Sequence, residues 1–273
     1  MQKKLCFIGA GNMATSITNG LIKQGMPTHQ IVMSDPSCKR RSDIQQSLSV
    51  MCLEHNSQAI AKADIIILAV KPQKMLSICQ ELATFLGNRK AFTPLIISIA
   101  AGITTTQLAN HLGTDTAIIR AMPNTPALVH KGATALYANH AVSPTQRNDA
   151  EQILSSIGIT QWLTQEHDLD AITALSGSGP AYFFLMIEAM IDAGVAMGLT
   201  PDLAKTFTVQ TALGAAELAQ TRTETIQQLR HNVTSPGGTT EAALKVMEQA
   251  GYKDLIQATL SAAQARASEL ASS

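Results

Sequence analysis

Short apolar runs and amphipathic stretches alternate along the first half of the chain. Leu5–Ile8 is an apolar run that ends in glycines and passes into a helical pattern, and Ile31–Ser34 (IVMS) is a second run of the same kind. The stretches ADIIILAVKP at Ala63–Pro72, PLIISIAAG at Pro94–Gly102 and TAIIRAMPN at Thr116–Asn124 are rich in β-branched residues. They show little polar alternation, the mark of strands buried on both faces. Between them, Lys74–Leu86 and Thr105–His111 carry helical spacing. Strand, helix and strand in this succession predict an α/β fold with a doubly wound parallel sheet.

The pattern changes after Trp162. Glu166–Ser273 holds no strand-like run and is rich in Ala, Leu, Met and Gln at helical spacing. This places a domain boundary near residue 164, with a sheet-bearing α/β domain over 1–164 and a helical domain over 165–273. One segment there, PAYFFLMIEAMIDAGVAMGL at Pro180–Leu199, is apolar almost all round. Glu188 and Asp192 interrupt it on one helical face, and each is costly at a bilayer centre. The expectation is a buried helix of a soluble oligomer with no membrane partner.

Composition narrows the classes. Twenty basic and twenty acidic residues cancel over 273 positions, so no global field attracts nucleic acid or an anionic membrane. Cys6, Cys38, Cys52 and Cys79 form no CxxC pair, and the start carries no signal-peptide pattern. Reduced thiols in a cytoplasmic protein are expected. The seven histidines show no HxxxH or HxH spacing, so no metal site is expected.

Gly9, Gly11 and Ala14 spell GxGxxA directly after a strand and at a helix start. Gly9 permits the tight turn, Gly11 admits a pyrophosphate, and Ala14 lets helix and strand pack closely. The free N–H groups of the helix start then face phosphates. At the end of the second strand two readings stand open. Asp35 could accept from a ribose 2′-hydroxyl, favouring NADH. Ser34 with Lys39, Arg40 and Arg41 could instead hold a 2′-phosphate, favouring NADPH, unless the basic triplet is merely a solvated helix face.

A second bare helix start lies in TSPGGTTEAALKVMEQAG, Thr234–Gly251. Ala243, Leu244 and Met247 give it an apolar face, and two glycines precede it.

The motifs IGAGNMA (from Ile8), AVKP (Ala69–Pro72), SIAAG (Ser98–Gly102), IRAMPNTPA (Ile119–Ala127), LSGSGPAY (Leu175–Tyr182) and SPGGTT (Ser235–Thr240) occur in this order. With them the chain resembles pyrroline-5-carboxylate reductase from about Lys4 to Gly251. The resemblance implies an N-terminal Rossmann-type domain and an all-α C-terminal dimerisation domain, with larger rings of dimers. It implies hydride transfer from NADPH, with NADH possible, to a cyclic imino acid, giving L-proline. Relatives often carry a neutral residue where Asp35 stands.

By the same resemblance, Ile8, Gly9, Ala10, Gly11, Asn12, Met13 and Ala14 bind the cofactor. Ser34, Asp35 and Asn56 serve its adenosine end. Ala69, Val70, Lys71 and Pro72 line it. Ala100, Ala101 and Gly102 approach its ribose and nicotinamide, and Asn232 is a further contact near the nicotinamide. Met122, Pro123 and Asn124 in MPNTPA are read, from their place at the carboxyl end of a parallel strand, as a nicotinamide-side loop rather than as a plain strand-end turn with two prolines. The substrate carboxylate falls to the bare helix start: Gly237 and Gly238 free the backbone, and Ser235, Thr239 and Thr240 offer hydroxyls. Thr240 is expected to bond the ring nitrogen, and Val233 to supply an apolar wall. Glu166 is either a residue near the substrate or an exposed helix-start glutamate. LSGSGPAY is read mainly as close helix packing.

Two other classes are weighed against this. A 3-hydroxy acid or 6-phosphogluconate-type dehydrogenase would need a lysine acid/base, for which Lys205 and Lys245 are the candidates. A non-catalytic nucleotide-sensing module would keep GxGxxA but would not need SPGGTT.

Overall fold

The computed structural model describes residues 3–87 and 93–272. Its first strands and helices alternate: β1 (Leu5–Ile8), α1 (Asn12–Lys23), β2 (Ile31–Ser34), α2 (Cys38–Leu48), β3 (Met51–Leu53), α3 (Asn56–Ala59), β4 (Ile65–Leu68), α4 (Pro72–Gly87), β5 (Leu95–Ser98), α5 (Thr105–Leu112) and β6 (Ile118–Met122), of which β1, β2, β4, β5, β6, α1, α4 and α5 follow the apolar pattern. Then follow β7 (Gly132–Ala138), α6 (Pro144–Leu154), β8 (Gly158–Trp162) and α7 (Asp168–Ile172). The strands form one sheet in the order β3-β2-β1-β4-β5-β6-β7-β8.

The sheet is parallel from β3 to β6. β7 then pairs antiparallel with β6, and β8 runs parallel to β7. Neither of these last strands, nor the short β3, is marked by an apolar run. β7 reads GATALYA, too small and polar to announce itself. Glycine spacing was its available signal. Gly132 pairs with Gly158, whose φ is +148°, and a Cβ on Gly158 would strike the Gly132 backbone. Only a residue without a side chain tolerates that approach.

Successive residues of the central strands face opposite layers. Leu5, Phe7, Ile65 and Ile67 pack in the cluster with Ile17, Met33 and Ile153. Cys6, Ile8, Ile66 and Leu68 pack in the other, with Met75, Leu82 and Leu108. All of these strand residues are at most 1% exposed. Each large side chain so buried contributes about 1.5–3 kcal/mol.

The remaining helices are α8 (Gly179–Ala196), α9 (Pro201–Thr221), α10 (Ile226–Asn232), α11 (Thr239–Gln249) and α12 (Tyr252–Ser272). Thr200 caps α9 through the Leu203 N–H. Gly194 of α8 lets Ala204 of α9 approach; a Cβ there would stand 3.2 Å from the Ala204 Cβ. Compactness divides the chain at Ser178/Gly179 and returns the residues from Ala263 on to the sheet unit, whereas the composition change pointed to 164/165. The second unit is therefore Gly179–Ala262.

The apolar segment expected as a buried helix is α8. Within a single chain only its Gly179 and Gly194 are buried, while Phe183, Phe184 and Leu185 are each about two-thirds exposed. By length and composition the helical run Asp168–Ala196 would suffice to cross a membrane. An apolar face of this size needs a partner surface.

Candidate active site

At the carboxyl edge of the sheet, β1 is flanked by β2 on one side and β4 on the other. The chain reverses its winding here, which makes the crevice above β1 and β4 the ligand position of such sheets. The two loops that leave these strands meet there. Gly9 has φ +94°, and a Cβ on it would sit 2.7 Å from the Ala69 carbonyl oxygen. Ala14 is fully buried, as the close packing of helix on strand demands. A Cβ on Gly11 would meet nothing within 4 Å, and α1 begins at Asn12 without any side-chain cap. Bare backbone and an uncapped helix start therefore face open space, and the residues present fit a dinucleotide pyrophosphate.

The residues expected at the adenosine end are bonded to one another and to the glycine loop. The Asp35 carboxylate accepts from the Ala10 N–H at 3.2 Å and the Ser37 N–H at 2.9 Å. Arg40 lies across the glycine loop, donating through Nε to the Ala10 carbonyl and through Nη2 to Thr15 Oγ1 at 2.7 Å. Arg41 donates to the Asp35 and Pro36 carbonyls and pairs with Glu54 at 3.0 Å. Both arginines are thus engaged, and the alternative of a solvated helix face is overturned for them. Lys39 alone of the triplet is exposed and without a described partner. Ser34 is buried and donates to Asn56 Oδ1 at 2.7 Å; the Asn56 amide donates to Glu81 at 2.8 Å. The bracing of the loop by Arg40 and Thr15 was missed, because nothing in the sequence pairs two positions 25 apart.

Farther along the sheet edge lie the loops after β4, β5 and β6. Ala69 closes onto β1 through its N–H to the Ile8 carbonyl, and Val70 and Lys71 lead into Pro72 at the start of α4. In the loop after β5, Ala100 is buried, Ala101 half-buried, and Gly102 has φ +72°. After β6, Pro123 follows Met122 directly, and the Asn124 side chain accepts from the Ala133 N–H and donates to Ser176 O and Oγ. Asn124 therefore acts as a brace between β7 and the SGSG segment. Met122 fills the space beside Gly177, where a Cβ would be crowded to 2.5 Å from its Cε. This supports the packing role for LSGSGPAY, whose first three residues complete a π-helical turn over Thr173–Gly177.

Glu166 is not an exposed glutamate. Its carboxylate accepts from the Thr105 N–H and Oγ1, both at 2.7 Å, and pairs with the buried Arg120 at 3.3 Å. Its oxygens are engaged in holding the start of α5. A lone arginine inside the apolar run IIRAM was the sequence signal for this network.

In the helical unit, Gly237 has φ +70° and Gly238 is the N-cap of α11. The start differs in one respect from the expected anion cradle. The Gly237 N–H donates to Glu241 Oε2 at 2.8 Å, and the Gly238 N–H donates to the Ser235 carbonyl at 3.0 Å. The glycines thus serve conformation: Gly237 takes a left-handed turn and Gly238 lies close to Ser235. The first-turn N–H groups of Thr239 and Thr240 and the hydroxyls of Ser235, Thr239 and Thr240 have no protein acceptor among the described residues. Glu241 was overlooked, although glutamate three positions after an N-cap is a recognisable capping pattern. Val233 is 64% exposed, and Asn232 accepts from Gln228 at the end of α10. Among the described residues there is no cluster suited to a metal ion.

Residues 166–270 match the family model for pyrroline-5-carboxylate reductase dimerisation, and residues 4–102 match that for NADP oxidoreductase, coenzyme F420-dependent. The chain is 48% identical over 268 residues to a pyrroline-5-carboxylate reductase of Pseudomonas aeruginosa, covering 98% of this chain and 97% of that one. The solved structure of a pyrroline-5-carboxylate reductase from Coxiella burnetii is 41% identical and superposes with a TM-score of 0.93 over 99% of both chains. That of Plasmodium falciparum pyrroline carboxylate reductase with NADP bound is 31% identical, with a TM-score of 0.88 over 99% of both chains.

Proposed function

The chain belongs to the pyrroline-5-carboxylate reductase family, and from that premise we propose how its residues divide the reduction of 1-pyrroline-5-carboxylate to L-proline. The protein is an NAD(P)H-dependent oxidoreductase and a homo-oligomer built on its C-terminal dimerisation domain. The exposed lysines 205 and 245 stand in no matching motif, and neither the 3-hydroxy acid dehydrogenase nor the inert nucleotide sensor is favoured.

When bound, the nicotinamide dinucleotide supplies the hydride. The α1 start and the bare Gly11 hold its pyrophosphate, Asp35 and Asn56 meet its adenosine half, and the loops Ala69–Pro72 and Ala100–Gly102 line the rest. Met122 and Pro123 border the nicotinamide side. At the start of α11, the Thr239 and Thr240 N–H groups and neighbouring hydroxyls receive the substrate carboxylate, favoured by the helix dipole. Glu241 is itself an anion at that start, but it takes the Gly237 N–H and leaves those of Thr239 and Thr240 for the substrate. Thr240 Oγ1 bonds the ring nitrogen, and Val233 covers the ring. The iminium form accepts hydride readily, so no general acid is required, and positioning carries the catalysis.

The dimer, assembling further into a ring of dimers in the cytoplasm with no nucleic-acid or membrane partner, would bring the dinucleotide loop of one subunit to the SPGGTT loop of another. The observation that carries this assignment of roles is the uncapped α1 start beside bare Gly11 at the winding reversal of the sheet. Oxidation of NADH and NADPH by the pure protein, with and without pyrroline-5-carboxylate, tests it. Imine-dependent oxidation that Gly11→Trp abolishes is expected; full activity in Gly11→Trp would overturn the placement of the cofactor.

A further inference from the structure

The last turn of α12 belongs to the sheet unit, and it grips the loop between β5 and α5 at several points. Its Leu270 backbone lies against Gly102. A Cβ on Gly102 would stand 2.9 Å from the Leu270 Cβ and 3.3 Å from its carbonyl carbon and oxygen. Gln107 works with both ends of its amide. Its Oε1 accepts from the Thr104 N–H at 2.8 Å, and its Nε2 donates to the Ala271 carbonyl at 3.2 Å. That carbonyl is one of the orphan acceptors every helix leaves at its C-terminus. Ser268 Oγ donates to Asp170 Oδ2 at 2.9 Å, and Asp170 faces Arg120 at 3.7 Å. Arg120 pairs with Glu166, which holds Thr105. The loop from Ile99 to Thr104 is therefore fastened at Gly102 by Leu270 and at its far end by Gln107 and Glu166.

We propose that the end of α12, Ser268–Ala271, is a positioning strap for the Ala100–Gly102 loop in hydride transfer, with Leu270 and Gln107 as its fastening residues. The inference rests on the reading that this loop lines the nicotinamide side of the cofactor. Gly102 is glycine for two coincident reasons. The turn has a positive φ, and the strap leaves no room for a side chain. A loop held in this way keeps the nicotinamide ring at the reacting distance, and a displacement of about 1 Å there costs on the order of 100-fold in rate.

The test uses the full chain and two changes. Gln107→Glu keeps the acceptor for the Thr104 N–H and suits the α5 dipole, yet sets an oxygen against the Ala271 carbonyl. A chain ending at Ala267 removes the strap outright. Binding of NADH and of ADP-ribose, which lacks the nicotinamide, is measured by calorimetry beside kcat and the melting temperature. The expected result is weaker NADH binding and a kcat lowered roughly 10- to 100-fold, with ADP-ribose binding unchanged; Leu270→Met should behave as the parent. Equal weakening of both ligands would mean a general structural role and overturn the proposal. So would unaltered NADH binding and kcat in Gln107→Glu. Ala101→Phe tests the premise separately. If it leaves NADH binding and kcat untouched, the loop does not face the nicotinamide. If it impairs them while the strap variants do not, only the strap fails.

Discussion

Replacing Asp35 separates its two jobs. Its carboxylate accepts from two backbone N–H groups, those of Ala10 and Ser37, which fixes it beside the glycine loop. On the proposed placement of the cofactor it faces the ribose 2′ position. A like charge about 4 Å away interacts by about 4 kcal/mol at the effective dielectric of a protein surface. Asp35 is half-exposed and Arg40 lies close by, so solvent and counter-charge reduce this to about 1–2 kcal/mol. Asp35→Asn removes the charge and keeps a carbonyl oxygen for the Ala10 N–H. Asp35→Ser removes charge and reach together, leaving that N–H unpaired at a cost of about 1–3 kcal/mol. The assay is kcat/KM for NADPH and NADH at saturating pyrroline-5-carboxylate and fixed ionic strength. Asp35→Asn should raise the NADPH-to-NADH ratio by about 5- to 30-fold. Asp35→Ser should shift the ratio likewise while weakening both cofactors. A ratio unmoved in both variants would show that the carboxylate does not face the 2′ position, and the basic triplet would then decide the preference.

Thr240→Val keeps the side-chain shape and removes one hydrogen bond, so kcat/KM should fall about 5- to 30-fold with the melting temperature unchanged; parental kinetics would send the ring nitrogen to another partner. Burial pushes the Cys6 thiol up to about 12 and those of Cys52 and Cys79 to about 11, from an ordinary 9.0, while Cys38 is exposed. A charged alkylating reagent at pH 8 should therefore label Cys38 alone in the native protein and all four cysteines after unfolding; mass spectrometry showing native labelling of Cys6 would refute this. Because the folded values lie above the unfolded ones, stability from these thiols is intact below pH 9 and should decline between pH 9 and about 12, as the unfolded chain ionises first. Gly11→Trp and Gly238→Trp should each be inactive alone yet regain part of the parental activity when refolded as a mixture, and mixed dimers that form but stay inactive would place each site within one chain.

The sequence by itself determined the five strands announced by apolar runs, β1, β2, β4, β5 and β6, the glycine loop that follows the first, and the helical character of the second half. In each case local chemistry suffices. A strand covered on both faces must be apolar throughout, a turn at φ +94° must be glycine, and a helix start must offer bare N–H groups. β7 (GATALYA) and β8 (GITQW) stayed hidden because strands without a run of large apolar residues are held by their pairing with neighbours, which no local pattern records. The order of motifs also sufficed to identify the family. What only the tertiary structure decided were the partners of polar side chains. Asp35 turns onto Ala10, Asn124 spans to Ser176 and Ala133, Glu166 locks Thr105 to Arg120, and Gln107 reaches Ala271 across 164 positions. A carboxylate or amide takes whichever donor the fold brings within about 3 Å, and that distance exists only once sheet and helices have closed around it.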